Sequence, residues 1–341
     1  MLLRNRTYRP VSLARSAVND DLWIAAVVVT AHYRVDGAAL APLPEDEAQP
    51  PGSPGAPPDL GQIPLWQGVS VTAAGAAHGP PRAPFVRPVV LHVGPEVRRL
   101  IVFGERRWKR GPGGELTATA PLPFDSIALS FTHAFGGAYD IGPGLFPGTD
   151  LPMPRLRVEY PWNPTGLGFY EHEQAAEGQL LPSIELPDQL VKRWSDRPEP
   201  GGFSPCPELR GMRATTDPAA IPPPDPPERG GRIPIAQALT LGLRAFHHAP
   251  GRLIFPRVPP GTPISLEGLG PAAGALRFDV PPSPIRVGIR RDGRPEEIAP
   301  ALRSIHIAAA AGIASFVHAH AFHHHPARAP EWVRVIERAA A

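Results

Sequence analysis

Apolar residues recur along this chain in short continuous runs or in alternation with polar residues, which is the pattern of β-strands. The longest run covers residues 22–35, and its continuously apolar middle indicates a strand that is buried on both faces. Further segments of strand type lie at residues 68–76, 85–93, 155–160, 265–269, 276–280, 285–290, 304–307 and 313–322. The sequence Arg291-Asp292-Gly293-Arg294 is a strong hairpin-turn signal after one of them.

The chain is organised around residues 100–137, where an apolar segment at 100–103 runs into a strongly cationic one. The basic residues that flank Trp108 are Arg106, Arg107, Lys109 and Arg110. Glycines and a proline at 111–114 signal a turn, and apolar residues alternate with polar ones again from Ile127. We therefore predict a β-hairpin-like unit with a basic, aromatic shoulder.

The shoulder has two interpretations. Guanidinium groups beside an indole ring can hold a phosphate or the carboxylates of a partner, because they bind oxyanions bidentately and stack on rings. Alternatively, the shoulder is a solvated strand end on which Trp108 covers the edge of the core.

One helix is predicted, at residues 331–339, where Trp332, Val335, Ile336 and Ala339 share a face and a proline stands at the start. Residues 37–62 and 142–154 are predicted to be loops.

Proline is unusually abundant, with 49 residues beside 34 glycines, and it disfavours long helices. We therefore expect a mainly β protein: an antiparallel β-sandwich or barrel-like sheets, with long Pro/Gly-rich loops and one short C-terminal helix. The Pro-rich stretch 216–232 either links a β-rich domain at 1–215 to a C-terminal β-rich part at 233–341, or crosses one continuous domain.

Charge and cysteine content narrow the classes of function. A formal net charge of +2 gives no whole-chain electrostatic signature for nucleic acid, and the single cysteine, Cys206, excludes an intramolecular disulfide. The N-terminus lacks the apolar segment of a secretory signal, and the apolar run at 23–31 is too short to span a membrane. We expect a soluble, cytoplasmic protein that binds neither membrane nor nucleic acid.

The late histidines invite a metal hypothesis, because His318 and His320 would project from the same face of a strand. No H-E-x-x-H pattern accompanies them, so a histidine cluster with adventitious metal affinity is the favoured interpretation. The chain also lacks a G-x-S-x-G elbow and a phosphate-binding loop. We therefore assign no catalytic residue, metal ligand or cofactor from the sequence.

Five segments in this order resemble domain-of-unknown-function family 2169. They are F-G-E-R-R-W from Phe103, P-L-P-F-D-S-I-A-L-S-F-T-H-A-F-G-G from Pro121, N-P-T-G-L-G-F from Asn163, L-P-S-I-E from Leu181 and P-G-G-F-S-P from Pro200. The chain differs from the family in carrying Ser183 where asparagine is usual.

The resemblance implies an effector adaptor or chaperone of bacterial type VI secretion, with an effector protein and a VgrG-type spike protein as partners. We expect Arg106, Arg107, Trp108, Asn163 and Phe203 to form a shared partner-binding surface or its scaffold. For Asn163 the alternative is plain turn geometry.

Two other functions remain open from the sequence. One is a metal-dependent hydrolase that uses the late histidines, and the other is a carbohydrate- or ligand-binding β-sandwich that uses Trp108 and Trp162.

Overall fold

A computed structural model describes residues 1–17, 20–44, 47, 68–145, 150–205, 249–269 and 275–338 of the chain. Several sequence predictions lie outside these residues, namely those for Cys206, for the Pro-rich stretch 216–232 and for most of the loop 37–62. The described residues are mainly β, with several antiparallel sheets and few helices, as predicted. The sheets are open, and none of those described closes into a barrel.

Three larger sheets form the body of the protein. The seven-stranded sheet contains β2 (Val11–Ala17), β3 (Trp23–Asp36), β4 (Ala39–Leu43), β5 (Val69–Ala74), β19 (Ile254–Phe255), β24 (Ala301–Ala308) and β25 (Ile313–His324). The five-stranded sheet contains β7 (Val86–Val93), β8 (Glu96–Phe103), β18 (Ile184–Glu185), β20 (Pro263–Glu267) and β21 (Leu276–Asp279). The four-stranded sheet contains β1 (Leu2–Asn5), β22 (Ile285–Arg291), β23 (Arg294–Ile298) and β26 (Trp332–Glu337).

Short two-stranded sheets and single helical turns complete the described part. The paired strands are β6 (Ala76–His78) with β11 (Ser126–Ala128), β9 (Trp108–Arg110) with β10 (Leu116–Ala118), β12 (Phe135–Gly136) with β17 (Leu167–Gly168), β13 (Ala138–Ile141) with β16 (Leu156–Glu159), and β14 (Gly144–Leu145) with β15 (Pro152–Met153). The helical turns are α1 (Glu173–Ala176) and 3₁₀ turns at Phe131–His133, Gly251–Leu253, Ala309–Ala311 and Pro326–Arg328.

Each of the three larger sheets combines strands from before residue 206 with strands from after residue 248. For example, β3 pairs with β25, and β1 pairs with β26 in parallel. The described residues before 206 and those after 248 therefore share all three larger sheets.

One face of strand β3 contributes residues to two hydrophobic cores. Tyr33 packs with Phe316 in the core that the seven-stranded sheet shares with the five-stranded sheet. Six residues earlier on the same face, Val27 packs with Phe322 in the core shared with the four-stranded sheet. A single strand thus joins both layers that pack on the seven-stranded sheet.

The opposite face of the seven-stranded sheet carries a buried polar row. Thr72 Oγ1 is hydrogen-bonded to His306 Nδ1 at 2.9 Å, and Ser315 Oγ to His32 Nδ1 at 2.8 Å. Burial, with a smaller effect from Arg9, lowers the pKa of His32, so this imidazole is held neutral.

The predicted helix at 331–339 is wrong, because residues 332–337 form strand β26. Val333 and Val335 alternate into the core, and their β-branched side chains suit a strand. The strand is hydrogen-bonded on both sides, to β1 in parallel and to β22 in antiparallel orientation. These tertiary pairings outweigh the helical spacing of the apolar residues.

The predicted hairpin between residues 100–103 and the segment from Ile127 is also wrong. Strand β8 pairs with β7 and β18, and the later segment forms only the short strand β11 before a 3₁₀ turn. The hairpin in this region lies between, where β9 pairs with β10 across the predicted turn at 111–114. The hairpin at Asp292 and Gly293 is confirmed, since both residues have positive φ between β22 and β23.

His318 lies on the β25 face that packs into the two cores, between Phe316 and Phe322. His320 follows on the same face, as the sequence predicted, and is half-buried. Burial is the main cause that lowers the pKa of His318 from 6.5 to about 4. The pKa of His318 is lower in the folded protein than in the unfolded chain. The fold therefore has its full stability only above the unfolded-state pKa, where this imidazole is neutral in both states.

We expect stability to fall as the pH drops from about 6.5 to about 4, because the unfolded chain then takes up a proton that folded His318 refuses. The contribution of this side chain is roughly 3 kcal/mol over that window. Chemical denaturation at several pH values should show a shallower pH dependence for His318→Leu than for the wild type. His323→Leu, which changes an exposed histidine of the same strand, is the matched control. Equal slopes for H318L and the wild type would contradict the assignment.

Among the described residues, no helix has the length and hydropathy that a membrane-spanning helix requires.

Candidate partner-binding site

The five motif segments that carry the family resemblance meet in one packed junction. Backbone hydrogen bonds join Phe103 to Ser183 at 2.7 Å, Ser183 to His133 at 2.8 Å, and Leu181 to Arg106 at 2.9 Å. The N-P-T-G segment joins the same junction, where Gly137 N–H donates to Asn163 O at 2.8 Å. We call these five segments the motif junction.

A buried ion pair lies within the motif junction. The Arg106 guanidinium donates hydrogen bonds to the Glu185 carboxylate and to Pro182 O, the latter at 2.7 Å. The exposed fractions of the two side chains are only 8% and 1%. Glu185 also accepts from Val191 N–H at 2.8 Å, and Arg106 Cζ lies 3.8 Å from the centre of the Phe103 ring. Arg106 is thus committed to internal contacts.

Burial raises the pKa of Glu185, and the attraction and hydrogen bond of Arg106 oppose this rise. The ionised pair therefore depends on both partners being present, because either charge alone would be buried without compensation.

Trp108 is buried in a small aromatic core. Its neighbours there include Phe135, Tyr160 and Leu181. The Phe135 and Tyr160 rings meet edge to face, with 4.9 Å between centroids. Tyr160 OH donates to Pro198 O at 2.9 Å, and burial raises its pKa to about 12. This core fixes the segment around residue 198 onto the motif junction, and Trp108 is part of the scaffold.

Asn163 is also buried, and its side-chain amide holds two backbone carbonyls. Nδ2 donates to Phe131 O at 2.7 Å and to Phe135 O at 3.0 Å. Gly136, with φ of +153°, lies so close that an added Cβ would be 2.0 Å from Asn163 O. Asn163 therefore sets a turn and also ties two motif segments together, which goes beyond plain turn geometry.

Phe203 is buried beside Gly202, where an added Cβ would be 2.6 Å from the Phe131 ring. Its carbonyl accepts from Ala73 N–H at 2.7 Å, which attaches the P-G-G-F-S-P segment to the seven-stranded sheet. Phe203 also lines an open cleft of about 360 Å³ at the surface of the junction.

The cleft carries charges that the sequence did not single out. Arg252 Nε donates to Glu199 at 3.0 Å, and the same guanidinium reaches Asp188 at 3.2 Å. Arg98 Nε donates to Arg252 O at 2.7 Å. These partners lie more than 50 residues apart in the chain, and no local pattern connects them.

Of the five residues predicted for the site, Arg107 is the one on the surface. Half of its side chain is exposed, Nε donates to Glu105 at 2.8 Å, and Nη1 donates to Gly178 O at 3.1 Å. Nearby Arg110 is paired with Glu173 and Glu177. The structure thus places Arg106, Trp108, Asn163 and Phe203 in the scaffold and Arg107 above it.

Of the late histidines, His325 lies beside one carboxylate, with 3.5 Å between its Nε2 and Asp21 Oδ1. The described residues contain no group of three or more His, Cys, Asp or Glu side chains placed to hold a metal ion. The pair His247-His248 lies outside the described residues.

The model of the family described as "Uncharacterized protein conserved in bacteria (DUF2169)" matches residues 19–318, well over half of the chain. The chain therefore belongs to this family. Comparison with curated proteins gave no match, and neither did comparison with solved structures.

Arg106→Met should lower the free energy of unfolding by about 3–5 kcal/mol, because it leaves Glu185 buried without its counter-charge. The double variant Arg106→Met/Glu185→Gln should recover most of the loss, since glutamine still accepts from Val191 N–H. The exposed neighbour provides the control: Arg107→Met should cost no more than about 1 kcal/mol in chemical denaturation. If R106M and R107M lowered the free energy of unfolding equally, the buried pair would contribute no more to stability than an exposed one.

Asn163→Asp should destabilise the protein more than Asn163→Ala, although aspartate has nearly the shape of asparagine. Alanine leaves two carbonyls without a donor, at a cost of about 2 kcal/mol or more, whereas aspartate adds a carboxylate that faces them. Thermal unfolding measures both effects, with Thr165→Ala as a control at an exposed neighbour that donates to Asn163. Wild-type stability of N163D would refute the proposed role of the amide.

Proposed function

We propose that this protein is a non-enzymatic adaptor or chaperone that binds a type VI secretion effector and helps to load it on a VgrG-type spike. In this proposal it acts in the bacterial cytoplasm, before the effector leaves the cell. The proposal takes its partners from the motif series in residues 103–205 and from membership of the DUF2169 family.

The observation that carries the proposal is the role of the motif residues. They are tied to one another by the Arg106–Glu185 pair, the Asn163 amide and the Trp108 core, so they build a rigid support. Above that support lie exposed Arg107 and the open cleft with Arg98 and Arg252. A rigid base under arginines and apolar side chains suits protein binding, since arginine and aromatic anchors dominate interface energetics.

Co-purification of the tagged protein from its native host, followed by mass spectrometry, tests this function. We expect recovery of the spike protein and of an effector encoded nearby. Recovery of neither, from cells shown to express the secretion genes, would overturn the proposal.

Arg107→Ala in the same experiment should reduce partner recovery by about fivefold or more if Arg107 is an interface anchor. Arg294→Ala is the matched control, because Arg294 is exposed on the edge strand β23 of another sheet. Equal recovery with R107A and R294A would remove Arg107 from the interface without affecting the adaptor function itself.

A further inference from the structure

The four-stranded sheet buries one face and exposes the other. Val333 and Val335 of β26 and Val287 of β22 pack in the core with β3, so the residues between them point to the opposite side. On that side Leu2 of β1 is 54% exposed. Arg6 N–H donates to Val335 O at 2.9 Å, so the pairing of β1 with β26 continues through this residue. We call this side the arginine face, after its arginines Arg4, Arg6, Arg286, Arg290, Arg334 and Arg338.

Positive charge is only partly balanced on the arginine face. Arg290 pairs with Glu331 at 3.2 Å, and Arg338 pairs with Glu297 at 2.8 Å. Six arginines thus stand against two glutamates, which leaves four positive charges, although the formal net charge of the whole chain is only +2. Among the described residues, no carboxylate pairs with the other four arginines, which are Arg4, Arg6, Arg286 and Arg334. The face therefore attracts anions.

Arg334 is held in place near the middle of this face. Its Cζ lies 5.1 Å from the centre of the Trp332 ring, and its Nε is buried without a hydrogen-bond partner in the described part of the chain. The Trp332 ring in turn lies over Gly288, where an added Cβ would be 3.4 Å from Cζ3. Arg4 is the neighbour of Arg334 on β1, and two like charges side by side on adjacent strands are unfavourable unless an anion lies between them. The two guanidinium groups are thus placed to share a carboxylate.

Apolar side chains alternate with these arginines. Along β1, Leu2 precedes Arg4, and along β26, Trp332 and Ile336 flank Arg334. Residues two apart on a strand lie about 6.5 Å from each other. An extended chain in which acidic and apolar residues alternate has the same spacing. Its carboxylates can therefore reach the arginines while its apolar side chains cover Leu2 and Ile336.

We propose that the arginine face binds an acidic, extended segment of another protein, in which acidic residues alternate with apolar ones. The unbalanced charge is confined to β1, β26 and one end of β22, a width of roughly 10 Å, because Glu297 and Glu331 lie toward β23. A single strand of nucleic acid would stack its bases on exposed aromatic rings, whereas the Trp332 ring is already engaged by Gly288 and Arg334. The alternation of charged and apolar surface fits a peptide better than a phosphate chain.

Neither a second copy nor the rest of this chain matches the arginine face in charge. Two arginine faces would repel each other. Residues 206–248 carry five arginines against four acidic residues, and residues 48–67 carry a single acidic residue. Glu47, in the acidic run at 45–47, is paired with Arg34, beyond the part of β3 that packs on the four-stranded sheet. The charge pattern therefore favours a different protein as the source of the acidic segment.

Binding of a short, dye-labelled synthetic peptide to the full-length protein, measured by fluorescence anisotropy, tests this inference without any secretion partner. In the peptide, glutamate alternates with leucine and serine, and a control peptide has glutamine in place of every glutamate. We expect the glutamate peptide to bind at low ionic strength, and to bind more weakly as salt is added. It should also bind more tightly than the glutamine peptide. Equal binding of the two peptides, or binding of neither, would overturn the inference.

Arg4→Glu/Arg6→Glu reverses two exposed charges of the face and should weaken binding of the glutamate peptide about tenfold or more, because like charges then meet. Arg82→Glu/Arg257→Glu is the matched control, since it makes the same change in formal charge at two exposed arginines outside the four-stranded sheet. The control should weaken binding no more than about twofold. If both double variants weakened binding equally, the peptide would respond to the charge of the whole chain, and the assignment to this face would fall.

Photo-crosslinking to the wild-type protein gives a second measurement that does not depend on how the variants fold. The glutamate peptide carries a benzophenone group at one leucine position, and mass spectrometry locates the crosslinks. They should fall on residues 2–6, 286–290 or 332–338. Crosslinks confined to other residues would contradict the proposed location.

Two further probes separate the other polyanions, namely oligothymidylate and vesicles that contain phosphatidylserine. If either probe bound more tightly than the glutamate peptide and lost its binding in R4E/R6E, the face would serve a nucleic acid or a membrane, and the assignment to an acidic protein segment would be overturned. None of these outcomes bears on the proposed adaptor function, which the co-purification experiment tests separately.

Discussion

Strand β3 is buried on both faces while it is hydrogen-bonded along both edges, and the three larger sheets depend on this arrangement. One edge pairs with β25 over the length of the strand, and the other is shared in turn by β2 and β4. Its odd-numbered residues from Ala25 to Tyr33 supply both cores in succession. Val27 and Val29 pack in the core with the four-stranded sheet, and Ala31 and Tyr33 in the core with the five-stranded sheet, so one strand couples the two layers.

Two buried arginines form ion pairs at places where sheets of the fold meet other segments. Arg9 lies in the interior, where it pairs with Glu337, the last residue of β26 in the four-stranded sheet, and reaches Tyr33 OH at 3.4 Å. Arg106 pairs with Glu185 where the five-stranded sheet meets the motif segments. Such pairs contribute little net stability compared with apolar packing, yet each fixes the relative position of segments far apart in sequence. The arginines at these places specify the arrangement of layers.

Much of the fold was predictable from local pattern. The apolar run that became β3 and the Asp292-Gly293 turn each carry a signal within a few residues, and both were confirmed. Residues 332–337 were not predictable, since Trp332, Val335 and Ile336 fit a helical face and Val333 and Val335 fit a strand face equally well. The decision came from β1, which lies more than 300 residues away in the sequence. The same holds for the site. The sequence indicated Arg106 as a candidate residue, but it gave no signal for the ion pair with Glu185, which lies 79 residues further along the chain.

The residues that carry the family resemblance are mostly interior ones, and this limits what a motif can say about partners. Arg106, Trp108, Asn163 and Phe203 contact other motif residues, so a matching motif series specifies how the junction folds. In the proposed adaptor function, the choice of a partner falls instead to exposed groups, such as Arg107 and the charged side chains of the Arg252 cleft. Arg107 lies within a motif segment, whereas Arg98 and Arg252 of the cleft do not. Substitutions of these exposed side chains should therefore leave the buried pairs beneath them intact.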